Sequence, residues 1–237
     1  MRIAGAIDLE WARMLRTHAA ALRERDDVRV VRISGAGRFF CPGGDLSWMA
    51  DQTDRQTAVR ELADTLHAGL LNLAALDAPI VAQVHGAAAG AGVSLVLGAD
   101  IAIAGDSAKF SLAYSEVGLS PDGGSSWLLP RIVGYRRALE IMLLNPTVDA
   151  HEAARFGLIN RAVPDDELSN AVDDVVSQLA AGPTAAFGAA KRLARRSLES
   201  TFEDQLDAEA GLIARLAGCP TGTEGIRAFI EKRRPVF

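Results

Sequence analysis

Pro79-Ile-Val-Ala-Gln-Val-His85, Gly86-Ala-Ala-Ala-Gly-Ala-Gly92, Val93-Ser-Leu-Val-Leu-Gly98 and Ile101-Ala-Ile-Ala104 follow one another closely, and their reading decides the fold. The first run is apolar almost throughout, as in a strand buried on both faces of a parallel sheet. The glycine- and alanine-rich turn ends it, and the small residues that follow predict a helix closing near Gly98. Ile101 to Ala104 predicts the next strand. Strand, turn, helix and strand in close succession form the crossover that parallel pairing needs, so the chain is α/β.

The same alternation extends upstream. Val28 to Ser34 predicts a strand, closed by Gly35-Ala-Gly37. Before it, Leu9, Ala12, Leu15, Ala19 and Leu22 recur at helical spacing, predicting a helix from about Leu9 to Arg25 with Asp8 as N-cap. A loop, Phe39-Phe-Cys-Pro-Gly-Gly-Asp45, leads into a short polar helix, and Thr57 to Leu76 predicts a longer amphipathic one. Downstream, a short strand is expected near Phe110. From Gly123 the pattern is mainly helical, with one strand at Ile159 to Val163. This divides the chain into an α/β core over 1–180 and a helical region over 181–237.

A chain of 237 residues, 49% hydrophobic, buries enough surface to fold without a metal or disulfide staple. The net charge of −5 argues against a general nucleic-acid binder. Two basic clusters, Lys191/Arg192/Arg195/Arg196 and Lys232/Arg233/Arg234, suit either a local anionic ligand or solvated helix faces. Two cysteines make no disulfide framework, and neither a secretory signal nor a membrane-length apolar run is evident. A cytoplasmic protein is expected. His18, His67, His85 and His151 have no metal-ligand spacing, so no metal is expected.

Both glycine-rich turns follow a strand and precede a helix. Amides at a helix N-terminus are unpaired and partly positive, and glycine lets a ligand approach them. Two such turns either converge on an oxyanion hole or are ordinary tight turns. Nucleotide loops do not fit. A dinucleotide fingerprint starting at Gly90 needs glycine or alanine where Leu95 stands, and a phosphate loop needs Gly-Lys-Ser/Thr where Gly92-Val-Ser94 stands.

Phe40-Cys-Pro-Gly-Gly-Asp-Leu46 resembles the first oxyanion segment of the crotonase (enoyl-CoA hydratase/isomerase) family, and Val84-His-Gly-Ala-Ala-Ala-Gly-Ala-Gly92 the second. Gly118-Leu-Ser-Pro-Asp-Gly-Gly124, Leu129-Pro-Arg131 and the terminal segment from Glu224 to Phe237 continue the match in order. The resemblance implies a spiral of ββα units with a helical C-terminal region that builds homotrimers or hexamers. It implies no permanently bound cofactor, coenzyme A entering as part of an acyl-CoA substrate. The oxyanion amides would fall on Gly44 and Ala91. Pro42 and Leu46 would lie on the adenine side of the first loop, and Arg38 and Lys232 are candidates for the coenzyme A phosphates.

Two departures stand out. The positions where hydratases of this family carry two glutamates are Ser94 and Tyr114 here. Asp122 remains, with two readings: the N-cap of the next helix, or the acid found there in several double-bond isomerases, naphthoate synthases and an aromatic dehalogenase of the family. A single carboxylate suits isomerisation, the favoured reaction. Glu116 is expected to face solvent, His85 to be structural and Cys41 to be a packed thiol. Trp127 and Phe229 are expected in the acyl pocket or the core. Second, Gly5-Ala-Ile-Asp8 matches a segment that the family reaches after an opening β-hairpin. A late start, trimming or a sheet lacking its first strands would each explain this.

Overall fold

A computed structural model describes residues 1–237. A two-residue edge strand, β1 (Arg2–Ile3), opens the chain. It is followed by α1 (Leu9–Arg23), β2 (Val31–Gly35), α2 (Leu46–Ala50), α3 (Arg55–Ala74) and β3 (Ile80–Val84). Next come β4 (Ala87–Ala89), α4 (Ala91–Leu97), β5 (Ile101–Gly105) and β6 (Lys109–Ser111), then a 3₁₀ turn at Ser115–Val117. The rest runs α5 (Ser125–Val133), α6 (Tyr135–Leu144), β7 (Val148–Asp149), α7 (Ala150–Phe156), β8 (Arg161–Val163), α8 (Leu168–Ala180), α9 (Thr184–Arg196), α10 (Phe202–Gly218) and α11 (Pro220–Ile230).

The strands form two sheets. The larger is wholly parallel, in the order β1-β2-β3-β5-β8. The smaller has β4 parallel to β6 and β7 antiparallel to β6. Strands β4 and β7 escape the sequence reading: three alanines inside a glycine turn and a two-residue bridge carry no periodicity to detect. Strand β1 lies along the edge of β2, with Arg2 opposite Ser34 and Ile3 opposite Gly35.

Helix starts follow the expected chemistry. Asp8 accepts from Trp11 N at 2.8 Å, Asp54 from Thr57 N at 3.1 Å, and Asp149 from Glu152 N at 2.8 Å. Helix α1 buries Trp11, Ala12, Leu15 and Ala19 and packs mainly on α3, where Gly69 lets the two approach closely. Both faces of the parallel sheet are covered. The main core lies on one side, while Leu168 and Val172 of α8 pack against Val81 and Ile103 on the other.

The C-terminal helices behave differently. Helix α10 buries no residue, and Phe202, Ile213, Phe229, Ile230 and Val236 are largely exposed. The expectation that Phe229 joins a pocket or the core is therefore corrected: it sits on an α11 face that this chain does not cover. No helix is long and apolar enough to cross a membrane.

Candidate active site

The two glycine loops leave the carboxyl ends of neighbouring strands β2 and β3, where ligand crevices form in parallel sheets. They then run side by side. Cys41 N donates to Ala87 O at 3.2 Å and Ala89 N to Cys41 O at 2.9 Å. Gly92 is required by this approach, since a Cβ there would stand 2.3 Å from the Cys41 carbonyl oxygen. Gly90, with φ 51° and ψ −125°, holds a turn that a side chain would strain.

This pairing frees two amides. Ile7 N donates to Gly43 O at 2.7 Å and Asp45 N to Ile7 O at 2.9 Å, so the Gly44 N–H points away and finds no acceptor in the chain. Ala91 is the first residue of α4, and its N–H is one that a helix leaves without an intrahelical partner. Gly43 and Gly90 are neighbours, which brings the two loops into one place.

Next to them stands Asp122. Its backbone oxygen is pinned by the Ser94 hydroxyl at 2.9 Å, the Ser125 hydroxyl at 2.8 Å and the Ser125 amide at 3.1 Å. The side chain is not a helix cap: Gly124 is the N-cap of α5, with no side-chain cap bond. Instead the Tyr114 hydroxyl donates to Asp122 Oδ1 at 2.5 Å. Asp122 Oδ2 lies 3.9 Å from His67 Nε2, and the carboxylate side chain is 34% exposed. His67 Nε2 itself accepts from Gly123 N at 3.1 Å.

Burial, then the Asp122 charge and its hydrogen bond, push the Tyr114 phenol well above its ordinary range. Tyr114 is thus a fixed donor and not a base. Burial likewise pushes the Cys41 thiol up to about 11, as suits a packed side chain. A cavity of about 450 Å³ adjoins the carboxylate, lined mostly by apolar side chains of α3, α4 and α5, including Trp127.

Residues 5–237 match the family model described as Enoyl-CoA hydratase/isomerase. The chain belongs to the crotonase superfamily. It is 41% identical over 220 residues to a probable enoyl-CoA hydratase of Rhodobacter capsulatus, covering 92% of this chain and 84% of that protein. Over 218 residues it is 39% identical to a 1,2-epoxyphenylacetyl-CoA isomerase of Escherichia coli, covering 90% of this chain and 83% of that one. The crystal structure of a putative enoyl-CoA hydratase/isomerase from Mycobacterium abscessus superposes with a TM-score of 0.91 at 34% identity, covering 100% and 94% of the two chains. The mixed α/β architecture is accordingly the crotonase fold, with its helical C-terminal region present.

Within this crotonase, Gly44, Ala91 and Asp122 converge, with Ser94 and Tyr114 touching Asp122. Pro42 and Leu46 are exposed on the first loop. Arg38 is exposed beside it, its guanidinium 4.7 Å from the Phe39 ring centre. Lys232 lies exposed beyond α11, and no hydrogen bond of that segment reaches the glycine loops. Glu116 faces solvent, and His85 bonds Gly37 O at 3.0 Å.

The first basic cluster matches neither of its sequence readings as a whole. Lys191 pairs with Asp100 at 2.7 Å, Arg192 pairs with Asp77, and Arg195 donates to Ala74 O, so three of the four dock α9 onto the core. His67 was missed as a site residue. It sits mid-helix, with nothing in its local sequence to tie it to a carboxylate 55 positions away.

Proposed function

We propose that this crotonase is an acyl-CoA double-bond isomerase, with Asp122 as the proton shuttle. The observation that carries this reading is a single carboxylate beside two free amides, with Ser94 and Tyr114 at the positions of the family's glutamates. Tyr114 engages Oδ1 and leaves Oδ2 open. The Gly44 and Ala91 amides would hold the thioester oxygen, and one such donor is worth about 3 kcal/mol towards a developing enolate. Asp122 Oδ2 takes a proton from one carbon of the enoyl system, and the electron pair moves towards the thioester oxygen. The same carboxylic acid then returns the proton at the other end of the dienolate, so no atom is gained or lost.

Coenzyme A would lie over the first loop, its adenine against Pro42 and Leu46 and its phosphates near Arg38, with Lys232 a further phosphate contact. The exposed apolar side chains of α10 and α11 support assembly of region 181–237 into a homotrimer or hexamer, tested by mass measurement in solution.

A second reading, attack of Oδ2 on an aryl-CoA carbon with loss of halide, draws on the same open oxygen. The test is mass spectrometry of 2-enoyl-, 3-enoyl- and haloaryl-CoA thioesters incubated with the protein in D₂O. Deuterium uptake with a moved double bond is the expected result. Added water would indicate a hydratase, and an adduct on Asp122 the nucleophilic route. Binding without conversion of any thioester would indicate a non-catalytic scaffold.

A further inference from the structure

We propose that the cavity beside Asp122 takes a medium-length acyl chain whose far end carries a carboxylate, bound by Arg195. The inference rests on the acyl-CoA reading of the site and adds the class of acyl group. His67 and Gly123 line the cavity next to Asp122, while Ala74 and Arg195 line its other end. His67 and Ala74 both lie on α3, seven residues apart, which at the helical rise separates the two ends by roughly 10 Å. The wall between them is hydrocarbon, including Leu70 and Leu95, so an extended acyl chain is suited to the space.

The far end is not apolar. Arg195 donates to Ala74 O, an unpaired carbonyl at the end of α3. Its contact with Asp100 is 3.8 Å, too long for a hydrogen bond. Asp100 Oδ2 pairs with Lys191 Nζ at 2.7 Å and accepts from Ile80 N at 2.8 Å, and its Oδ1 is the atom nearest Arg195. The neighbouring Arg192 is matched by Asp77. Lys191 and Arg195 thus face one carboxylate between them, which leaves one positive charge in surplus where the cavity ends. A guanidinium has five N–H donors, and Ala74 O is the one acceptor within hydrogen-bond reach of them here. A methyl-ended chain would press hydrocarbon against those donors. A carboxylate would accept from them in the forked geometry that arginine favours.

The test uses saturated thioesters, which have no double bond to move, so binding is read apart from the reaction. Octanoyl-CoA, suberyl-CoA and the neutral methyl ester of suberyl-CoA are titrated calorimetrically into the wild-type protein, Arg195→Lys and Arg195→Met. A charged hydrogen bond predicts that wild type binds suberyl-CoA about 10- to 100-fold more tightly than octanoyl-CoA or the ester. Arg195→Lys keeps part of that preference. Arg195→Met loses it. The comparison of acid with ester in wild type stands even if the methionine variant fails to fold. Equal binding of the three thioesters, or a preference that survives in Arg195→Met, overturns the inference while leaving the acyl-CoA site intact. Failure of every thioester and of free coenzyme A to bind overturns the acyl-CoA reading itself.

Discussion

Replacing Asp122 by asparagine separates chemistry from architecture at this site. The side chain keeps its shape and an oxygen that accepts from Tyr114, and the backbone carbonyl held by Ser94 and Ser125 is untouched. No helix cap is lost, because the carboxylate caps nothing. The structural cost is the change from a charge-assisted hydrogen bond to a neutral one, about 1 kcal/mol. In a chain of this length that lowers Tm by about 2–4 °C. The catalytic cost is the whole of the general base, about 10²- to 10⁴-fold in kcat. At 1.36 kcal/mol per decade this is about 2.7–5.4 kcal/mol of barrier. Deuterium incorporation into a 3-enoyl-CoA, followed alongside a thermal melt, measures both. A variant that melts near the wild type yet shifts double bonds at the wild-type rate would refute Asp122 as the shuttle.

Three further outcomes follow from the geometry. Gly92→Ala places a methyl group against the Cys41 carbonyl and forces the paired loops apart, costing about 1–3 kcal/mol in a urea melt; unchanged stability would mean that the loops do not pack as described. Cys41, buried and with its thiol raised to about 11, resists alkylation in the folded protein while the part-exposed Cys219 reacts, and peptide mapping tells them apart. Stability also depends on alkali. Cys41 and Tyr114 both hold their protons more tightly folded than unfolded, so their contribution is complete below 9.0 and 10.0 respectively. It declines as pH rises beyond those values, and Tyr114→Phe shows a shallower loss above 10.0; an equal slope in both proteins would contradict the buried phenol.

Particular residues show what could be read without coordinates. Asp8 was legible as a cap because capping is local: its side chain reaches an amide three residues on. The buried strand Ile80–Val84 was legible because burial on both faces demands an unbroken apolar run. The two glycine turns were legible because the backbone there accepts glycine and little else. Asp122 was legible only as a choice between a cap and an acid, since both begin from the same Asp-Gly-Gly sequence.

Long-range placement was not legible. Tyr114 stands eight positions from Asp122 and His67 fifty-five, yet both face the one carboxylate because the segment before α5 lies between α3 and α4. Arg195 read as part of either an anion contact or a solvated helix face, and the sequence did not show that α9 docks it on the end of α3. The amino-acid sequence by itself determined the α/β class, the two glycine turns and the family, since each is written in neighbouring residues or in a string of motifs. Only the tertiary structure decided that the Asp122 side chain is not a cap and which groups meet it. Contacts between distant segments depend on how helices pack, and no local pattern encodes that.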